Sequence, residues 1–265
     1  MPTAHINGIH LYYEEHGSGP PLMLIAGLAS DSQSWQPVLE DLSRHFRVIL
    51  PDNRGAGRTA PQEVETSVPL MSDDCAALLE HLDIPSTALL GHSMGGFAAL
   101  DCAIRHPELV SRLILAGTSA VDSERNNALF RKLASARSAG MDPERWFMEI
   151  FRWIFSERFF ENPEAVKEAV RFAVEYPHPQ SAAAFANQVR AIEAFDGTAG
   201  LPGIRAKTLV LCGNDDCLFP PAQSEQALRA IPGAEFVRIE NAAHSIHLEN
   251  PQAFTEHVLE FLGRR

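Results

Sequence analysis

The sequence has few basic residues for its length. Its 265 residues include 22 lysines and arginines against 34 aspartates and glutamates, which gives a formal net charge of −12 at pH 7. Because binding to nucleic-acid phosphates needs a clustered basic surface, this balance argues against a nucleic-acid partner. An acidic surface of this kind mainly promotes solubility.

Cysteine is also scarce, and the four cysteines show no Cys-x-x-Cys spacing. Cys102 and Cys212 lie in apolar runs, where we expect buried free thiols rather than disulfides or metal ligands. The loop at residues 53–58 contains glycines but lacks the Gly-Lys-Ser/Thr of a phosphate-binding loop, so we interpret it as a structural turn. We therefore predict no metal and no cofactor.

No apolar run in the sequence reaches the length of a transmembrane helix. The N-terminal Met-Pro-Thr-Ala-His segment has neither the basic start nor the apolar core of a signal peptide. We therefore expect a cytoplasmic protein without a membrane partner. With 45% apolar and 21% charged residues, the composition is typical of a globular protein that forms one large α/β domain or a domain with an insertion.

The most informative stretch lies between residues 86 and 100. A short apolar run leads into Gly-x-Ser-x-Gly at residues 91–95, and good helix formers follow at once. This order predicts a strand, a very sharp turn and a helix, which is the geometry of a nucleophile elbow. Ser93 would occupy a strained turn, because Gly91 and Gly95 lack a Cβ that would collide with the neighbouring strand and helix. The N–H of Met94 would then lie at a helix N-terminus, which favours negative charge.

Strand and helix patterns alternate on both sides of this stretch. A hairpin around Asn7-Gly8 is followed by apolar strands and amphipathic helices in turn. The predicted strands lie at 21–28, 46–52, 86–91, 110–116, 207–212 and 235–239, and the predicted helices at 35–42, 67–82, 94–105, 222–231 and 251–262. Such alternation predicts a mostly parallel sheet with right-handed crossovers and helices on both faces.

The alternation stops between residues 122 and 196. This segment shows no convincing strand, four prolines interrupt its helical patterns, and it holds nine of the fifteen phenylalanines. We interpret it as a helical cap inserted into a core formed by residues 1–121 and 197–265. Most of the aromatic rings are expected to pack the cap onto the core, and a few to face a pocket. The aromatic cap could also support a homodimer, which is compatible with catalysis.

A serine hydroxyl is a poor nucleophile at neutral pH, so Ser93 would need a base and a group that orients the base. Sites on parallel sheets form at the carboxyl ends of strands, so we expect these partners after the two later strands. The candidates at those strand ends are Asp215, Asp216, His244 and His247. A carboxylate and then a histidine thus follow Ser93, in the chain order of the α/β-hydrolases.

With these placements the chain resembles the α/β-hydrolase superfamily, in its group of small capped esterases, enol-lactonases and cofactor-free haloperoxidase-like enzymes. The resemblance covers nearly the whole chain, from Leu22 to about Leu262, with the cap as the variable part. It implies an α/β-hydrolase fold: a mostly parallel central sheet with helices on both faces and an inserted helical cap.

The resemblance also selects among the candidate partners of Ser93. In this family the acid stands three residues after a glycine and four before a proline, which fits Asp216 and leaves Asp215 as the second choice. The family's histidine follows Gly or Ala and precedes a His-Leu-Glu-x-Pro tail, which fits His244. By the same comparison His247 and His92 are expected to be structural.

An oxyanion hole made of two main-chain N–H groups is a further implication of the resemblance. One donor would be Met94, and the other would come from the loop after the first central strand. The family usually has His-Gly-x in that loop, whereas this chain has Ala26-Gly27-Leu28. By position the second donor is the N–H of Leu28, and because the contact is main-chain the missing histidine does not remove it.

The resulting hypothesis is a serine hydrolase that cleaves a small or medium carboxylic ester or lactone through an acyl-enzyme. A serine at the elbow excludes the haloalkane dehalogenase and epoxide hydrolase relatives, which need a carboxylate there. Three alternatives stay open: a carbon–carbon bond hydrolase, a cofactor-free haloperoxidase or perhydrolase on the same triad, and a hydrolase-fold binding protein without turnover. The cap suits an apolar acyl compound, but its basic residues could equally meet a substrate carboxylate, among them Arg125, Arg131 and Arg152.

Overall fold

The computed structural model describes residues 2–263, so Met1 and residues 264–265 of the predicted core lie outside the described residues. The strands are β1 (Thr3–Ile6), β2 (Ile9–His16), β3 (Pro21–Ile25), β4 (Arg47–Pro51), β5 (Thr87–His92), β6 (Val110–Ala116), β7 (Lys207–Gly213) and β8 (Glu235–Ile239). The helices are α1 (Gln36–Ser43), α2 (Val68–His81), α3 (Met94–Arg105), α4 (Glu124–Ser138), α5 (Pro143–Ile154), α6 (Glu157–Phe160), α7 (Pro163–Val174), α8 (Ala182–Glu193), α9 (Pro221–Leu228), α10 (Ile246–Glu249) and α11 (Pro251–Gly263).

All eight strands form one sheet in the order β1-β2-β4-β3-β5-β6-β7-β8. The first three strands of that order pair antiparallel, and the pairs from β4 to β8 are parallel. Helical crossovers connect the parallel strands, as a parallel sheet requires. The predicted α/β fold with a mostly parallel sheet is therefore confirmed.

The central strands are apolar along their whole length because both faces of the sheet are covered. In β3, Leu22 and Leu24 join one core cluster, while Met23 and Ile25 join the other. This period of two is the geometry of a strand, whose successive side chains point to opposite faces. Helices α1 and α11 supply the first cluster, and α2 and α3 contribute to the second.

Helices α4 to α8 occupy the segment that the sequence predicts as a cap. Four of these five helices begin at a residue whose side-chain oxygen accepts an N–H of the first turn: Ser123, Asp142, Asn162 and Ser181. An isolated antiparallel bridge between Val121 and Asp196 joins the two ends of the segment. The helices thus leave and rejoin the core at one place, between β6 and β7. No helix within residues 2–263 combines the length and apolarity needed to cross a bilayer.

The junction of β5 and α3 is packed too closely for side chains at its two outer glycines. A Cβ on Gly91 would lie 2.1 Å from the carbonyl oxygen of Gly95, and a Cβ on Gly95 would lie 2.2 Å from the carbonyl oxygen of Ile25. Both distances are far below van der Waals contact with backbone atoms that cannot rotate away. The sharp turn between strand and helix therefore requires glycine at these positions.

Replacing Gly95 by alanine should destabilise the protein by about 3 kcal/mol or more, because β3 and α3 would have to move apart. For a chain of this size we expect the thermal unfolding midpoint to fall by about 6 °C or more. Gly203→Ala is the matched control, since a Cβ there meets nothing within 4 Å. Equal melting temperatures for the two variants would contradict the packing argument.

Candidate active site

Ser93 occupies the turn between β5 and α3 with φ 53° and ψ −119°. A non-glycine residue rarely adopts positive φ, so surrounding bonds must hold it there. Its N–H donates to the carbonyl oxygen of Ala116 at 2.9 Å, and its carbonyl oxygen accepts from the N–H of Gly96 at 2.8 Å and the hydroxyl of Thr118 at 2.9 Å. These bonds fix the strained residue at the carboxyl end of the central strand.

His244 and Asp216 form a buried pair beside this turn. The Nδ1 atom of His244 lies 3.0 Å from Oδ2 of Asp216, and each residue is 3% exposed. Oδ1 of Asp216 accepts from the N–H groups of Leu218 at 2.8 Å and Phe219 at 2.9 Å. Burial alone would raise the pKa of Asp216, but the charge of His244 and these donors outweigh it and lower the pKa. Asp215, the second choice of the sequence analysis, is exposed.

The pair fixes how His244 can act. An ionised Asp216 accepts a proton donor at Nδ1, so the neutral imidazole carries its hydrogen there and leaves Nε2 free to accept. Because Asp216 is buried and keeps its charge, it also stabilises the positive form of His244. A histidine held in this way can act chemically as a general base that the aspartate orients.

The loop after β3 approaches Ser93 closely. A Cβ on Gly27 would lie 3.1 Å from Cβ of Ser93. The side-chain amide of Asn53 donates to the carbonyl oxygen of Ala26 at 2.8 Å and is buried. Asn53 thus anchors this loop in a chain that has alanine where the family usually has histidine. Leu28 follows directly and lines the same cavity as Ser93.

Ser93, His244 and Leu28 line a cavity of about 140 Å³ between the sheet and the helices α4 and α5. Half of the other lining residues are apolar and come from the predicted cap: Leu129, Phe130, Leu133, Phe147, Ile150, Phe151, Trp153, Ile154 and Phe185. Apolar walls exclude water, which strengthens hydrogen bonds and charges inside the site. Met94 stands at the first position of α3, where N–H groups have no acceptor within the helix.

His92 packs against His244 and His247, with ring centroids 4.8 and 4.7 Å apart, and both His92 and His247 line the cavity described above. Nε2 of His92 donates to the carbonyl oxygen of His244 at 2.9 Å. Burial, together with the nearby charge of His244, lowers the pKa of His92 to about 3, so the ring is neutral at physiological pH. Burial likewise puts the pKa of His247 well below its usual value, and its ring packs on Trp35 with centroids 4.5 Å apart.

Glu249 ties the loop that carries His244 to the segment at the end of α5, residues 154–156. Its Oε2 accepts from the N–H of Ala243 at 2.8 Å, and its Oε1 accepts from both the N–H and the hydroxyl of Ser156, at 2.9 and 2.6 Å. The N–H of Ser245 donates to the carbonyl oxygen of Ile154 at 2.9 Å. The residues on both sides of His244 are therefore bonded to this segment or to Glu249.

Asn126 makes an equivalent link to the loop that carries Asp216, which we call the acid loop. Its side-chain Nδ2 donates to Oδ1 of Asp122 and to the carbonyl oxygen of Leu218, both at 2.9 Å. Asp122 is 8% exposed, and its Oδ2 has no hydrogen-bond partner within residues 2–263. Burial therefore raises the pKa of Asp122 to about 6.

Sequence reasoning missed three of these supporting residues. Glu249 belongs to the His-Leu-Glu-x-Pro tail, so a signal for it was present, and only its partners were unknown. Asn53 and Asn126 carry no comparable signal, because each acts through a carbonyl group far away in the chain.

The three cap arginines considered as carboxylate ligands do not line this cavity. Arg131 forms ion pairs with Glu124 and Glu193, and Arg152 pairs with Glu149. Arg125 donates to the carbonyl oxygens of Cys217 and Leu218 beside Asp216.

Asp122→Asn should make stability less dependent on pH. The pKa of Asp122 rises from about 4 in the unfolded chain to about 6 in the folded one, so the wild type loses stability as the pH rises through this window. An asparagine cannot ionise, so between pH 4.5 and 7.5 the free energy of unfolding of the variant should rise by about 2 kcal/mol relative to that of the wild type. This corresponds to a rise of a few degrees in the difference between the two melting temperatures. The exposed Asp41→Asn serves as control, and a difference that does not change with pH would contradict the assignment.

Comparisons with known proteins agree with this architecture. Residues 20–251 match the sequence profile of the alpha/beta hydrolase fold family. The chain is 31% identical to a protein of Azorhizobium caulinodans that is named as a carbamate hydrolase, RutD, over 99% of this chain and 98% of that protein.

Solved structures superpose over nearly the whole chain. The enol-lactonase from Burkholderia xenovorans LB400 is 28% identical, with a TM-score of 0.89 over 99% of this chain and 100% of that one. A thermophilic esterase from Thermogutta terrifontis, solved with malate bound, is 32% identical, with a TM-score of 0.85 over 98% and 96%. Sequence match, sheet order and superposition agree, and the chain therefore belongs to the α/β-hydrolase family.

Proposed function

We propose that the protein is a serine hydrolase that cleaves a small or medium carboxylic ester or lactone through an acyl-enzyme. The observation that carries this proposal is that Ser93, in its positive-φ turn, and His244, which is paired with the buried Asp216, line one small and mostly apolar cavity. A nucleophile, a base and an orienting acid at one water-poor site are what acyl transfer needs. Relatives named as an enol-lactonase and an esterase lend further support.

In the proposed first step, Oγ of Ser93 attacks the substrate carbonyl carbon, and Nε2 of His244 takes the hydroxyl proton. The N–H groups of Leu28 and Met94 stabilise the oxyanion, and Asp216 stabilises the imidazolium. His244 then gives its proton to the leaving alcohol as the bond to the carbonyl carbon breaks. Water attacks the acyl-enzyme by the same route and releases the acid.

A carbamate is a second candidate substrate, favoured by the 31% identity to the protein named as a carbamate hydrolase. Its carbonyl carbon would be attacked by the same serine. Ammonia release from ethyl carbamate, measured beside ester hydrolysis, separates the two candidates.

The first test is hydrolysis of p-nitrophenyl esters from acetate to octanoate by the wild type and by Ser93→Ala. We expect cleavage of short or medium esters and a loss of about 10⁴-fold or more in kcat for Ser93→Ala. Ser111→Ala, which removes an exposed hydroxyl of β6, is the control and should behave as the wild type.

A fluorophosphonate serine probe completes this test. If no ester is cleaved but the probe labels Ser93, the serine is activated toward another bond, such as a carbamate or a carbon–carbon bond. If the wild type neither cleaves esters nor reacts with the probe, the proposal is refuted.

The choice between the two neighbouring aspartates gives a second prediction. Asp216→Asn should lower kcat by about a thousandfold or more, because the amide favours the wrong tautomer of His244 and cannot stabilise its positive form. Asp215→Asn is the matched control, since Asp215 is exposed one position away, and we expect its kcat within about twofold of the wild type. A larger loss in Asp215→Asn than in Asp216→Asn would reverse the assignment.

A further inference from the structure

A second, larger cavity lies beside the one that contains Ser93. Its volume is about 730 Å³, against about 140 Å³ for the catalytic cavity. The two share five lining residues, namely Ala29, Ser30, Ser34, Phe147 and Leu248. A substrate held at Ser93 can therefore extend into a compartment much larger than the site of reaction. We call this compartment the outer cavity.

Arg137 of α4 places a positive charge in the wall of the outer cavity. Its guanidinium carbon lies 4.3 Å from the ring centroid of Trp146 and 5.6 Å from that of Phe185. One of its nitrogens donates to the carbonyl oxygen of Gln180. The aromatic faces and this carbonyl hold the side chain in place, but they do not neutralise its charge.

No carboxylate of residues 2–263 forms an ion pair with Arg137. Two other arginines of the predicted cap do form ion pairs: Arg131 of α4 pairs with Glu124 and Glu193, and Arg171 of α7 pairs with Glu168. Those pairs lie on the exposed surface, where water would solvate an unpaired arginine at little cost. Of these three arginines, Arg137 is the half-buried one, and it has no carboxylate partner among the described residues.

Leaving a guanidinium in this wall is costly unless a ligand compensates it. Burial lowers the pKa of Arg137, which means that the surroundings disfavour its charge, although an arginine stays protonated at neutral pH. A guanidinium carries five N–H donors in a planar fork, and the bond to Gln180 occupies only part of this capacity. A carboxylate matches the geometry of that fork and its single charge.

The carboxylate that lines the outer cavity is already engaged elsewhere. Oδ2 of Asp31 accepts from the hydroxyl of Tyr176 at 2.6 Å, and Oδ1 accepts from the N–H of Gln33 at 2.9 Å. Among the described residues of this wall, Asp31 and Arg137 are the only ones of the Asp, Glu, Lys and Arg types. The carboxylate of Asp31 is bonded to Tyr176 and Gln33 and not to Arg137, so the fork of Arg137 is open to a carboxylate of a ligand at this point.

We propose that the outer cavity binds a carboxylate of the substrate through Arg137, so that the enzyme prefers esters or lactones that carry a second, ionised carboxyl group. This inference rests on the proposed ester hydrolysis at Ser93. It adds the chemical class of the substrate: a short acyl or alcohol chain whose far end is anionic.

The test compares charged and neutral substrates of equal length. Monomethyl esters of dicarboxylic acids from succinate to suberate place the carboxylate on the acyl part, and ω-acetoxyalkanoates place it on the leaving group. Methyl alkanoates and alkyl acetates are the neutral counterparts, and proton release measures all four series. Chain length scans the distance between the ester and the carboxylate.

For the wild type we expect a preference for the anionic ester of about 10-fold or more in kcat/KM, at one or two chain lengths of at least one series. In Arg137→Gln the ratio of anionic to neutral kcat/KM should fall by about 10- to 100-fold, mainly through KM, because a charge-assisted bond is lost. Arg137→Lys should recover part of this ratio, since it keeps the charge but not the fork. Arg131→Gln, at an exposed arginine outside both cavities, is the control and should leave the ratio unchanged.

A structural role of Arg137 gives a different result. If Arg137→Gln merely loosens the helices around Trp146, both substrate classes lose activity together and the ratio stays constant, which overturns the inference. The absence of any wild-type preference in both series overturns it as well, even if Arg137→Gln fails to fold. In either case Ser93-dependent cleavage of neutral esters would still support the proposed function.

Binding without turnover separates the two proposals fully. Calorimetric titration of Ser93→Ala with the anionic esters of both series measures recognition of the carboxylate whether or not esters are substrates. Binding that weakens about 10-fold or more in Ser93→Ala/Arg137→Gln supports the role of Arg137 even if ester hydrolysis fails. Equal binding by the two proteins, or no binding at all, refutes it.

Discussion

The close backbone contact at the end of β5 is the constraint on which the rest of the site depends. Glycine at positions 91 and 95 lets the start of α3 touch both its own strand and β3, at distances that no side chain would permit. Only then can Ser93 keep its positive φ and project beyond the sheet edge. The hydrogen bonds from Gly96 and Thr118 to its carbonyl oxygen offset the strain that this conformation carries.

The same edge collects the other proposed site residues, because parallel strands end on one side of a sheet. Asp216 follows β7 and His244 follows β8, and the two loops are themselves in contact. A Cβ on Gly213 would lie 1.9 Å from the carbonyl oxygen of Ala243, and the N–H of Asp215 donates to the carbonyl oxygen of Ala242 at 3.0 Å. The acid and the histidine are therefore positioned by one joined pair of loops.

Much of the fold could be predicted from sequence because its signals are local. The apolar strands, the turn at Ser93 and the order of the later aspartate and histidine all follow from short patterns. The arrangement of α4 to α8 could not be predicted, because it depends on side chains that meet across long separations. The pairing of Arg131 with Glu193 and the stacking of Arg137 on Trp146 and Phe185 are examples. Charge alone therefore could not distinguish the arginine of the outer cavity from the solvated ones.

The bond from Asn126 to Leu218 has a consequence for exchanging the cap between relatives. Asn126 belongs to α4 by position, yet its amide supports the carbonyl of a residue whose N–H holds Asp216. A chimera cut at the chain's apparent boundary near Val121 would discard this support together with the helices. The junction of a chimera should therefore lie after Asn126. A grafted cap retains the native acid loop only if the first turn of α4 stays with the core.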